Sequence, residues 1–332
     1  MERVKSAERL KRFMAIILAG TALSACSMHG AEAIENPMPK AAAQTPEQVL
    51  PPPPPKVGDK LRGDLTAAML ARGYTGEMEV AVRNHNTGEV IDWTNLPPDA
   101  ATGKTYDTAS TIKFSILLKR LLVNQAHGVT LGGSCPEYPQ YPPSTPLTCG
   151  ELEHAVPMIG QSSNYDASAL WTELGGVPAL QDFFDHDAKT QRTVADVSGQ
   201  WGFTRTTGDD QLAILNLLSD PASPLTPESK QTVNILLDGV VPYQHWGASG
   251  QVPAGGPSAI PADVSVRLKN GWMPYSDERG GTWTINSIAH IEGEGADYDL
   301  AMCSDMNLSD SYGEDTLGAA AAVIWQDLYP TV

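Results

Sequence analysis

Positive charge is scarce in this chain once its first 25 residues are set aside, and no Lys/Arg cluster follows them. A protein that holds nucleic acid needs a basic stripe to displace counterions, so that class of partner is excluded. The apolar run Phe13 to Ala25 is too short to span a bilayer. No internal repeat is present, which removes solenoids and propellers. Around Asp185-His186-Asp187 no second histidine stands at ligand spacing, so the group reads as a solvated loop and no metal is expected. Cysteine is rare as well, with four in 332 residues.

The N-terminus carries what the rest lacks. Arg3, Lys5, Arg9, Lys11 and Arg12 precede the apolar run, the pattern of a secretory signal over residues 1–25. Its end, Leu23-Ser24-Ala25-Cys26, resembles the bacterial lipobox, which implies lipidation of Cys26 and a membrane anchor facing the cell envelope. Residues 26–57, rich in Ala, Pro, Gln and Glu and ending in Pro51 to Pro55, read as a tether. Removing residues 1–25 takes the formal charge from −17 to −20, because five basic and two acidic side chains leave with them. An acidic exported body points to a small or neutral envelope molecule as its partner. Export also permits disulfides. Cys135 and Cys149 flank a proline-rich loop with little apolar content, and a bridge there would contribute about 3 kcal/mol. Cys303 reads as a small buried hydrophobe inside a strand.

Hydrophobic spacing organises residues 58–332. A helix over Leu61, Leu65, Ala68 and Met69 should stop at Gly73, followed by a hairpin with Met78, Val80 and Val82 on one side and its turn at Asn86-Thr87-Gly88. Helical spacing then dominates from about 108 to 240, with a capping box at Thr207-Gly208-Asp209-Asp210 and a helix opened by Thr226-Pro227. Strands are expected at Val264 to Leu268, Thr282 to Ile291 and Tyr298 to Cys303, and a helix at Leu317 to Leu328. The result is an α/β (α+β) architecture: an antiparallel sheet from both chain ends, a helical subdomain, and a cleft between them where a ligand would lie.

Chemistry concentrates in three segments. Ser110 and Lys113 stand three residues apart at the opening of a helical run, so the amine would reach the hydroxyl on one face. Ser162-Ser163-Asn164 opens a second helix, and Lys269-Asn270-Gly271 follows the strand Val264 to Leu268. In this order the three resemble the Ser-x-x-Lys, Ser-x-Asn and Lys-Thr-Gly elements of class A β-lactamases and penicillin-binding proteins. The resemblance covers roughly Gly58 to Val332 and implies a β-lactamase/transpeptidase-like serine hydrolase without a cofactor. It implies Ser110 as nucleophile, Lys113 as its base, Ser162 as proton relay and Lys269 as the cation near a substrate carboxylate. Asn164 would bind the substrate amide, Asn270 and Gly271 would lie beside it, and the backbone N–H groups of Ser110 and Trp272 would receive the oxyanion.

Two departures qualify this. Class A enzymes carry a Glu-x-x-x-Asn signature whose glutamate positions the deacylating water, yet Asp187 to Thr204 contains no glutamate, and Asp196 is the nearest acid. Asn270 also stands where the family has a hydroxyl. Three readings therefore stay open: a lactam, amide or ester hydrolase; a D,D-peptidase or esterase with little β-lactam turnover; and a non-catalytic envelope-binding lipoprotein. The expected substrate is a small molecule or cell-wall peptide, and the expected state is a monomer. Trp201, Trp246, Trp272 and Trp283 are assigned to the core rather than to the cleft.

Overall fold

The computed structural model describes residues 56–275 and 280–329, so residues 1–25, Cys26 and all but the last two residues of the tether lie outside it. Helix α1 (Val57–Ala71) buries Leu61, Leu65 and Met69 along one side. Gly73 ends it at φ +60°, a conformation glycine reaches without steric penalty. Strands β1 (Glu77–Asn84) and β2 (Val90–Thr94) form the expected hairpin, with Val82 opposite Ile91. Asn84 Oδ1 accepts the N–H groups of Asn86 and Thr87 and so closes the turn.

A short helix α2 (Pro98–Ala101) leads to β3 (Tyr106–Asp107), then to helices α3 (Ile112–Ala126), α4 (Cys149–Gly160), α5 (Asn164–Leu174) and α6 (Val177–Asp182). Strand β4 (Arg205–Thr206) pairs with β3, and helices α7 (Gly208–Ser219) and α8 (Pro227–Asp238) complete the helical middle. Helix α3 is its axis, because Ile116, Leu117, Leu118 and Leu121 are all fully buried. Cys135 and Cys149 are disulfide-bonded as expected, and Cys303 is buried and free.

The chain then returns to the sheet through β5 (Ser265–Pro274), β6 (Trp283–Gly293) and β7 (Ala296–Asn307), and ends in helix α9 (Asp310–Leu328). The five-stranded order β2-β1-β7-β6-β5 is antiparallel throughout and draws on both chain ends. Strand alternation assigns the faces. Tyr298 stacks on Tyr329, at the end of α9, while the Glu79/Cys303 pair, an odd five positions along β7, looks the other way, where Glu79 accepts the N–H of Gly208 at the start of α7.

Several expectations are corrected. Strand β5 does not stop at Leu268 but stays paired with β6 as far as Pro274, so Lys269-Asn270-Gly271 lies within a strand. Helix α9 begins seven residues before Leu317, capped by Ser309, whose hydroxyl accepts the N–H of Tyr312. Thr207 caps α7, but the Asp210 carboxylate accepts the N–H groups of Gln191 and Arg192 instead of closing a box. The Asp185-His186-Asp187 group is solvated as expected at Asp185 and His186, but it is not a loop: it belongs to a π-helical turn, Phe183–Asp187, held by buried Phe183 and Phe184 and by Lys119, which pairs with Asp182 and Asp187.

Candidate active site

Ser110 occupies a 3-10 turn, Ala109–Thr111, at the mouth of α3. The turn is fixed from three sides. Thr108 N–H donates to Thr204 O at 2.8 Å, Arg205 holds Asp107 at 2.8 Å, and Asn286 on β6 donates its amide to Asp107 O at 2.8 Å and Thr108 O at 3.2 Å. Ala109 has φ +45° and Ser162 has φ +58°, left-handed positions for residues with a Cβ. Such positions cost about 1–3 kcal/mol each and persist where the surroundings over-determine them, commonly at functional sites.

The side chains of Ser110, Lys113, Ser162, Asn164 and Lys269 meet. Lys113 Nζ lies 2.8 Å from Ser110 Oγ, 2.5 Å from Ser162 O, 3.1 Å from Ser162 Oγ and 2.7 Å from Asn164 Oδ1. Lys269 Nζ donates to Ser162 Oγ at 3.0 Å and to Asn270 O at 2.7 Å, which makes Ser162 the link between the two amines. Neither amine has an acidic partner among the described residues. Burial alone pushes Lys113 down to about 7. Lys269 is held well below the usual lysine range, first by burial and then by the charge of Lys113.

The donor count agrees with a neutral Lys113. Ser162 O and Asn164 Oδ1 can only accept, whereas Ser110 is a hydroxyl that can donate. An uncharged amine has two N–H groups for those two acceptors and one lone pair to receive the Ser110 proton. That is the arrangement of a nucleophile with its base in place.

Gly271 explains how β5 comes so close. A Cβ there would stand 2.7 Å from Thr111 N and 2.8 Å from Ser110 N and Thr108 O, so only glycine lets the strand lie against the nucleophile turn. Trp272, the next residue, lines the same cavity as Ser110. Asn270 behaves differently from expectation. Strand alternation turns it away from the cleft, fully buried, where its amide donates to Gln244 O and Trp246 O and accepts from Ser287 Oγ. Lys269 is 1% exposed, and it points to the opposite side of the strand from Asn270, with its amine at Ser162 Oγ.

The cavity in front of Ser110 has a volume of about 580 Å³. Trp201, Trp272 and Trp283 line it with Phe203, Met273, Asn164 and Gln200, which corrects the assignment of these three tryptophans to the core; Trp246 alone is buried behind, edge-on to Trp272. Trp201 belongs to a 3-10 turn, Trp201–Phe203, and the centre of its ring lies 5.1 Å from Lys113 Nζ. No carboxylate lines the cavity among the described residues. Asp196 instead accepts from Ser198 Oγ and from the N–H of Gln200, shaping its own loop. Asn286 and the left-handed Ala109 were invisible beforehand, since an asparagine in a strand carries no recognisable pattern.

No protein-family model matches the chain, nor does any curated protein. Solved structures do match. A class A β-lactamase from Bacteroides cellulosilyticus has a TM-score of 0.63 at 16% identity over 83% of this chain and 100% of its own. PBP-A has a TM-score of 0.62 at 16% identity, over 82% and 97%. A β-lactamase from Xanthomonas campestris has a TM-score of 0.60 at 21% identity, over 82% and 98%. The fold is therefore that of the class A β-lactamase and penicillin-binding protein superfamily. Among the described residues no helix is long and apolar enough to cross a membrane.

Proposed function

We propose that this chain is an exported serine hydrolase that acts on a lactam, amide or ester through an acyl-Ser110 intermediate. One observation carries the reading: Lys113 Nζ sits 2.8 Å from Ser110 Oγ with no acidic partner among the described residues and a pKa lowered to about 7. Neutral Lys113 takes the hydroxyl proton as Oγ attacks the substrate carbonyl, and the oxyanion is received by the N–H groups of Ser110 and Trp272. Collapse of the tetrahedral species expels the leaving nitrogen or oxygen, to which Ser162 Oγ passes a proton drawn from the amine pair behind it. Asn164 orients the substrate amide. Water then cleaves the ester and restores Ser110.

A second reading concerns the last step. With no carboxylate on the cavity wall and the Trp201 ring beside Lys113, no acidic group among the described residues is at hand to activate water, which favours slow deacylation. PBP-A offers a precedent, since one of its variants is known as an acyl-enzyme complex with penicillin G. Incubation with a fluorescent penicillin and a chromogenic cephalosporin, followed by intact mass, separates the cases. Steady turnover supports a β-lactamase, and a long-lived adduct on Ser110 supports a peptidase or esterase. Absence of any adduct with these and with activated esters contradicts the proposal. Export with a lipid on Cys26 rests on the N-terminal pattern, and loss of membrane retention in Cys26→Ala tests it.

A further inference from the structure

Charged side chains cross one face of the sheet well away from Ser110. Strand register sets Arg83, Asp299, His290 and Arg267 side by side, and residues paired across an antiparallel sheet point the same way. The N–H of His85 donates to Asp297 O at 2.9 Å, which carries the register of β1 into the turn beside them. His290 lies four residues along β6 from Asn286, about 13 Å from the strand position that holds the Ser110 turn. One nitrogen of His85, one of His290 and one oxygen of Asp299 lie within 4.8 Å of one another, and the two imidazole rings are 5.9 Å apart, centre to centre. His290 Nδ1 is hydrogen-bonded to Asp299 Oδ1 at 2.9 Å. The other side of the carboxylate is unfinished. Asp299 is fully buried, yet its Oδ2 makes no hydrogen bond, and neither does His85 Nε2, 3.0 Å away. Two polar atoms that face each other without a hydrogen bond have lost water and gained no partner for it.

We infer that His85, His290 and Asp299 form a binding site for one divalent transition ion of the zinc class. The inference goes beyond the acyl-serine reading and does not depend on it. Bonds of about 2.0–2.2 Å from Zn²⁺ to imidazole nitrogen and carboxylate oxygen put tetrahedral ligand atoms about 3.3 Å apart, close to the 3.0 Å between Asp299 Oδ2 and His85 Nε2. Two imidazoles with one carboxylate suit Zn²⁺ and its neighbours in the first row, whereas Ca²⁺ and Mg²⁺ take oxygen ligands. The surroundings favour a cation. Asp297 has a buried Oδ1 without a hydrogen bond, Glu292 lies 3.9 Å from His290 Nε2, and Arg267 is engaged by Asp238 and Glu292, so the carboxylates outnumber Arg83 and Arg267. Half-buried His85 leaves the ion a route from solvent and a fourth position for water. Binding releases to solvent any proton on the imidazole nitrogens that turn to the metal. Without the ion that proton pairs the cluster with Asp299; with it, the metal ties β6 and β7 to the turn after β1.

The full chain tests this, purified without a histidine tag, carrying Cys26→Ala so that its thiol cannot compete, and stripped with EDTA. Dialysed against micromolar Zn²⁺, it should take up one ion per chain by elemental mass spectrometry and melt at a higher temperature than in EDTA. Co²⁺ in place of zinc should give visible d–d absorption that added Zn²⁺ removes. His85→Ala, a change in a turn, should weaken binding roughly tenfold or more, and should abolish both the cobalt bands and the zinc-dependent rise in melting temperature. His290→Gln should act alike, whereas His186→Ala, at an exposed position, should change neither. A chain with the three residues intact that holds no stoichiometric zinc and shows no cobalt bands overturns the inference without recourse to any variant. Stoichiometric binding that survives His85→Ala in a folded chain overturns it too. Metal occupancy is read without Ser110, so this result stands apart from the labelling experiments above.

Discussion

Two buried charge clusters in this molecule are built in opposite ways. At the cleft, Lys113 and Lys269 share Ser162 with no carboxylate among the described residues to pair with, and both are held below the usual lysine range. On the sheet, Asp299 lies fully buried between His290, 2.9 Å away, and His85, 3.0 Å away. There burial pushes the Asp299 carboxyl up, but the hydrogen bond from His290 and the close approach of the His85 imidazole outweigh it, and the carboxyl ends below its usual range. The nearby Asp299 carboxylate in turn raises His85. Pairing makes the second cluster a brace, whereas its lack leaves the first one reactive. Burial tells little about role until the partner is named.

The sharpest way to break this contrast is to exchange one charge at each cluster. Asp299→Asn should destabilise the fold by about 3–5 kcal/mol, the cost of unpairing buried charge, yet leave the rate of Ser110 labelling per folded molecule unchanged, measured by denaturation and intact mass. Lys113→Ala should do the reverse, lowering acylation by about 10²–10⁴-fold. Lys113→Arg should not restore it, because a guanidinium does not deprotonate. A stability change that followed the lysine, or a rate change that followed the aspartate, would erase the distinction.

Smaller effects refine it. Gly271→Ala should cost about 1–3 kcal/mol in stability by overpacking, and should slow acylation as well, because the added Cβ meets the Ser110 turn directly. The pH dependence of stability should come from the sheet cluster. His85, raised above 6.5, contributes fully below about that pH and less as pH rises through its folded value. Asp299, lowered below 3.8, contributes above about that pH and loses its share as pH falls through its folded value. The stability gap between the native chain and Asp299→Asn should therefore be widest between these limits and narrow on either side.

Much of this was legible in the sequence, and the omissions have physical causes. Helix α1, the β1–β2 hairpin and the convergence of Ser110, Lys113, Ser162, Asn164 and Lys269 follow from spacing and from the resemblance. The extent of β5 did not, because Lys269-Asn270-Gly271 breaks the apolar alternation that marks a strand, and only its pairing with β6 carries it through. That the Asn270 amide is turned inward depends on the same register. The tryptophans divided by position along the folded chain, since periodicity cannot tell a cavity wall from a core. The cluster of His85, His290 and Asp299 joins neighbouring β6 and β7 to the turn after β1, so it is a product of sheet register and that turn.

The pH profile of Ser110 acylation tests the central claim most directly. With a reactive aryl ester as acyl donor, the rate should climb as pH passes about 7, where Lys113 gives up its proton, and that rise should vanish in Lys113→Ala. A profile that rises only near the ordinary lysine value of 10.5, or one that is unchanged by removing Lys113, would contradict a neutral amine as the base of Ser110.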